Sequence, residues 1–153
     1  MMPTRVIVHC SASKNGARVD ISEIEKWHLA RGFKKVGYHM VIQPDGEVQK
    51  GRALNEQGAH CEGENEDSIG ICLIGLDKFT MQQLDALRYQ LDAICLIYPI
   101  KKWRVYGHYQ FKSAITQGKT CPNIEVNRLL SWYLMHDYEA IHPYILKDWN
   151  QQA

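Results

Sequence analysis

The chain alternates short apolar runs with amphipathic stretches, and the alternation predicts its elements. Arg5 to Cys10 (RVIVHC) is apolar and β-branched, which reads as a buried strand. After a polar loop containing Gly16, Asp20 to Arg31 reads as a helix with Ile21, Ile24, Trp27 and His28 on one face. Either Ser22 with Glu25 or Asp20 with Glu23 supplies its capping box, and Gly32 stops it. Tyr38 to Gln43 and Glu47 to Lys50 form a hairpin about the turn Pro44, Asp45, Gly46. Residues 52–67 are a long polar loop, and Ser68 to Ile74 (SIGICLI) is another buried strand.

Thr80 and Gln83 cap a strong helix with the stripe Leu84, Leu87, Leu91, Ile94, Cys95 and Tyr98, ended by Pro99. Trp103 to Gly107 is a strand leading to His108, and residues 109–124 are a second long polar loop. Glu125 to Leu134 is a third helix, with Val126, Leu129, Leu130 and Tyr133 on one side. The tail from His136 carries Tyr144, Ile145, Leu146 and Trp149 and is expected to pack back as a short helix. Strands alternating with helices, plus one hairpin, give an α/β fold with a mixed central β-sheet flanked by helices. One domain is expected over residues 1–153, with its core at about 5–135 and the tail 136–153 packed on it.

Composition narrows the function classes. Hydrophobic residues make up 45% and charged residues 23%, as in an ordinary globular protein. A formal net charge of +1 gives no general attraction to nucleic acid or to an anionic membrane. No stretch approaches the about 20 apolar residues of a membrane span. The apolar segment before His9 is too short for a signal-peptide core, so cytoplasmic synthesis without export is expected. The 5 cysteines are odd in number and lack a CxxC, which argues against a disulfide framework. Cys72 and Cys95 read as small core residues, whereas Cys121 stands in a polar loop before Pro122.

Three residues at strand ends and in a loop offer chemistry. His9 closes the first strand, His108 follows the strand ending at Gly107, and Cys121 lies in the loop beyond. Two imidazoles and a thiolate suit a catalytic zinc, which takes three protein ligands and keeps its fourth position open. In a chain with 7 His and 5 Cys, spacing alone favours a simpler reading: a core-edge histidine, a surface histidine and a free thiol.

The words around these residues shift the balance. VHCSAS at 8–13, VGYHMVIQPDGEVQKGR at 36–52, GAHCEGENEDSIGICLIG at 58–75, YGH at 106–108 and KTCP at 119–122 occur in one order. Together they resemble the type 2 N-acetylmuramoyl-L-alanine amidases, a family that includes phage lysozymes of the amidase kind and animal peptidoglycan recognition proteins. The resemblance implies that His9, His108 and Cys121 hold one Zn2+ per chain. It implies that Tyr38 is the active-site tyrosine, that Lys119 is a catalytic lysine of the phage branch, and that His60 and Asn65 border the substrate groove. The implied reaction is hydrolysis of the amide between the muramic acid lactyl group and L-alanine, with peptidoglycan or muropeptides as substrate. The implied setting is a phage or prophage endolysin acting after release to the periplasm or wall; a monomer is expected.

Read from their own surroundings, the same residues also have plainer roles. Tyr38 has the apolar period-two partners Met40 and Ile42, so its ring is expected to border the core; Lys119 reads as a loop cation, Asn65 as a turn residue and His39 as a hydrogen-bonded core residue. No glutamate stands in HExxH spacing. The chain departs from the family pattern in a longer His108–Cys121 loop, in Gln110 where an acid commonly stands, and in Glu64 for a tyrosine. The rival classes are a non-catalytic peptidoglycan-binding protein and a regulatory protein with structural zinc, for which His60 or Cys10 would be the fourth ligand.

Overall fold

The computed structural model describes residues 1–147; Trp149, read above as part of the tail, lies outside them. Strand β1 (Arg5–Cys10) lies inside a five-stranded sheet with β2 (Met40–Ile42), β3 (Val48–Lys50), β4 (Ser68–Leu73) and β5 (Val105–Gly107), in the order β3-β2-β4-β1-β5. β1 runs parallel to both β4 and β5, β2 runs parallel to β4, and only the β2–β3 hairpin is antiparallel. A parallel strand buried on both faces has no polar side to show, which is why RVIVHC reads as a continuous apolar run.

Side-chain alternation divides β1 between two cores. Val6, Val8 and Cys10 join Ile69, Ile71 and Leu73 beneath α2 (Met81–Ile97) and α4 (Val126–Met135), with Leu84, Leu87, Leu91, Leu129 and Trp132. The other face holds a smaller cluster of Val41, Cys72 and Ile74 with Ile24 of α1 (Ile21–Ala30) and Val36. His9 belongs to this smaller, more open face.

The caps follow the sequence closely. Thr80 accepts the Gln83 N–H at 3.0 Å, completing the capping box of α2. Gln83 also reaches inward, donating to the carbonyls of Ile42 (2.9 Å) and Ile74 (2.8 Å) where β2 and β4 end. Asp20 caps α1 through the Ser22 N–H, and Gly32 leaves it at φ +93°.

Three expectations need correction, those for Trp27, the last strand and the segment after His108. Trp27 is 46% exposed, because the buried side of α1 is confined to Ile24 and His28. The last strand spans Val105–Gly107, and Trp103 stays out at 57% exposure with the Lys101 ammonium over its ring. The segment after His108 is not all loop: a 3-10 turn (His108–Gln110) leads into helix α3 (Lys112–Thr116). Five residues are too few to show a helical period, and only Ala114 of α3 is buried. The tail forms α5 (Tyr138–Ile141) and a second 3-10 turn, then pairs with Phe79: the Phe79 N–H donates to Tyr144 O and the Leu146 N–H to Phe79 O, each at 2.8 Å.

Candidate active site

Parallel register explains how residues far apart in sequence meet. Val6, Ile7 and Val8 of β1 stand opposite Val105, Tyr106 and Gly107 of β5. The next residue along each segment is a histidine, His9 within β1 and His108 just past the end of β5, so the two lie side by side, with ring centroids 4.5 Å apart. Both sit at the carboxyl ends of their strands, where open α/β sheets gather their sites.

Cys121 is delivered to the same place by backbone pins. α3 ends at Thr116, and two residues on Gly118, with a φ of +68°, turns the chain back. The Tyr109 N–H then donates to the Cys121 carbonyl at 3.0 Å, and the Cys10 N–H donates to Cys121 Sγ at 3.0 Å. The Cys121–Pro122 peptide is cis. One ligand atom from each of His9, His108 and Cys121 then lies within 4.8 Å of the others. Donors of a tetrahedral zinc stand about 3.3–3.8 Å apart, so a small contraction closes the set. The donor types, borderline-soft nitrogen and sulfur, suit zinc better than a hard cation. Among the described residues neither His60 nor Cys10 joins this group, so the cluster offers three candidate ligand atoms.

The electrostatics keep the imidazoles available as ligands. Burial pushes His9 well below the ordinary histidine range, helped by His60, His108 and the Lys119 ammonium. Burial, then Lys119, takes His108 down to about 4. Contact with Cys10 and burial push the Cys121 thiol up, so thiolate forms there only against a cation.

Around the trio lies an open groove of about 770 Å³. Tyr38 stands between two histidines, 5.1 Å from the His9 ring and 5.3 Å from that of His28. Burial raises its hydroxyl well above the ordinary tyrosine range, so it keeps its proton at neutral pH. Lys119 lines the groove rim and is close enough to depress both His9 and His108.

His60 and Asn65 stand together at the groove floor. Asn65 Oδ1 accepts the N–H groups of His60 (2.9 Å) and Cys61 (3.0 Å), which folds the loop inward. His60 is consequently only 9% exposed, and its Nδ1 lies 2.8 Å from His9 Nε2. Burial takes it down to about 3. His39 is a core histidine, accepting the Gly70 N–H at 2.9 Å and donating to Glu56 O at 2.7 Å.

The departures from the family pattern have local explanations. Gln110 accepts the Gly107 N–H at 2.8 Å and so caps the turn that carries His108. Glu64 and Asp67 pair with Arg5 at the start of β1, and the Arg5 guanidinium lies 5.1 Å over the Phe111 ring. The longer loop becomes a groove wall: Ser113 of α3 donates to Glu62 O at 2.9 Å, tying that wall to the His60 loop.

Sequence reasoning missed Ser68 and Gly70, which support His60 from β4. A glycine inside a strand marks a close approach, and Gly70 of SIGICL carried that signal. The Cys10 N–H contact to sulfur left no sequence trace.

A family model described as N-acetylmuramoyl-L-alanine amidase matches residues 1–124. The endolysin of Enterobacteria phage K11 is 35% identical over 133 residues, covering 82% of this chain and 83% of its own. The endolysin of Escherichia phage T7 is 35% identical over 131 residues, covering 80% and 82%. Among solved structures, the N-acetylmuramoyl-L-alanine amidase LysC from Clostridium intestinale superposes with a TM-score of 0.75 at 24% identity, over 87% of this chain and 85% of that one, a likeness of fold. With the family model covering most of its length, the chain belongs to the N-acetylmuramoyl-L-alanine amidase family.

Proposed function

We propose that this peptidoglycan amidase is zinc-dependent, cuts the amide between the muramic acid lactyl group and L-alanine, and serves a phage or prophage as an endolysin. The observation that carries the reading is the convergence of His9, His108 and Cys121 ligand atoms at the base of the groove. One Zn2+ per chain would be held by these three residues. When bound, it supplies Lewis acidity, which brings the pKa of a water towards about 7 and polarises an amide carbonyl.

The chain's own groups do the rest. In the hydrolysis, a water oxygen bonds to the lactyl carbonyl carbon, the carbon–nitrogen bond breaks, and the alanine nitrogen leaves with a proton. Negative charge grows on the carbonyl oxygen as the attack proceeds. The Lys119 ammonium at the rim favours that charge most when it is largest. The Tyr38 hydroxyl, which keeps its proton, can donate a hydrogen bond to the same oxygen or pass a proton towards the leaving nitrogen. Asn65 contributes through the loop it braces rather than by reaching into solvent.

Among the described residues no helix is long and apolar enough to cross a membrane. Product analysis tests the reading. Digestion of purified peptidoglycan is expected to free alanine amino groups in step with lactyl carboxylates, with no new reducing sugar ends. Reducing ends without free alanine would assign a glycosidase and refute it.

A further inference from the structure

A histidine has two ring nitrogens, and a histidine that binds a metal with one must carry its hydrogen on the other. The bonds behind His9 settle which is which. His9 Nε2 faces His60 Nδ1 at 2.8 Å. On the far side, among the described residues, His60 Nε2 meets Ser68 alone, at 3.4 Å from its carbonyl oxygen and 3.3 Å from its Oγ. The carbonyl can only accept. The hydroxyl hydrogen of Ser68 is already committed to Glu64 O at 2.6 Å, so Oγ also accepts. His60 therefore carries its hydrogen on Nε2, its Nδ1 is a bare acceptor, and His9 Nε2 is the donor. The lone pair of His9 Nδ1 is left free.

We propose that His60 is a positioning residue: through the chain His9–His60–Ser68 it locks His9 in the Nε2–H tautomer, so that Nδ1 is the ligand atom presented beside His108 and Cys121. Metal-binding histidines generally need such an acceptor, commonly a carboxylate or carbonyl; here a second, buried histidine fills that place.

The surroundings are built for this orientation. The ring of His60 stands edge-on to His9, at 4.9 Å and 88°. A Cβ on Gly70 would come within 2.5 Å of its Cγ, and one on Gly58 within 2.7 Å of its Cδ2, so the ring occupies space that only glycines leave. Asn65 Oδ1 fixes the backbone on either side of the His60–Cys61 peptide. A residue that merely lined the groove would need neither the clamp nor the relay to Ser68.

The inference rests on the zinc reading for its purpose, but its first test needs no metal. In metal-free protein labelled with 15N-histidine, two-bond 1H–15N correlation reads the tautomer of His9, assigned with a His9→Gln variant. The expected signature is hydrogen on Nε2. Zinc affinity by chelator competition is expected to fall about 10–100-fold in His60→Ala. His60→Asn, whose Oδ1 stands where Nδ1 stood, is expected to recover most of it. Hydrogen on His9 Nδ1 in the wild type, or unchanged zinc affinity in His60→Ala beside a zinc-binding wild type, overturns this inference and leaves the amidase reading intact. A wild type that binds no zinc overturns the metal assignment and this inference with it.

Discussion

Adding one methyl group beneath the site tests the packing that supports it. In Gly70→Ala the new Cβ would lie 2.5 Å from His60 Cγ, 2.6 Å from Cδ2 and 2.7 Å from Nδ1. Ordinary contact begins at about 3.4 Å, so the ring must retreat by about 0.9 Å. That distance is comparable with the whole margin between the 2.8 Å contact to His9 and no hydrogen bond. The neighbouring atoms are ring carbons close to the backbone, and the position of Gly58 denies them free space. Overpacking of this kind costs about 1–3 kcal/mol. For a domain of this size each kcal/mol lowers Tm by about 2–4 °C, so a fall of about 2–12 °C is expected. Differential scanning calorimetry of the metal-free proteins measures it, and chelator competition on the same samples is expected to show weaker zinc binding. An unchanged Tm together with unchanged zinc affinity would refute the claim that β4 and Gly70 seat the His60 ring.

Other perturbations separate chemistry from support. Tyr38→Phe and Lys119→Ala are each expected to lower kcat by about 10²–10³-fold with zinc content unchanged, by steady-state release of alanine amino groups; loss of zinc in either would make them structural instead. The depressed pKa values of His60 (about 3) and His108 (about 4) mean that the unfolded chain takes up protons before the folded one does. Their contribution to stability is therefore full above the unfolded histidine value of about 6.5 and is lost as pH falls towards 4 and below, so Tm of the metal-free protein is expected to drop over that window. A flat Tm between pH 7 and 4 would contradict the buried, neutral state of both rings. Arg5→Ala removes the pairs with Glu64 and Asp67 and the stacking on Phe111, and is expected to lower Tm by about 2–6 °C and loosen the loop that carries His60, read by hydrogen exchange.

The sequence was legible where one local rule decides the outcome. The strand Arg5–Cys10, the Thr80–Gln83 cap and the turn at Pro44–Gly46 each follow from neighbours within a few residues. The ligand trio was legible only through the family words, because its spacing is set by parallel register between β1 and β5 and no short pattern encodes that. The same non-locality hid the relay from His9 through His60 to Ser68, which joins three segments, and the amide of Cys10 that meets Cys121 sulfur. Helix α3 was lost for a different reason: it is too short to show a period, and its register depends on Gly118 and on the contact of Ser113 with Glu62.

Zinc content and alanine release, measured together on wild type, Cys121→Ser and His108→Ala, test the central claim most directly. The expected result is about one zinc per chain and chelator-sensitive release in the wild type, with both lost together in the variants. Full release by a zinc-free wild type, or by Cys121→Ser, would contradict it.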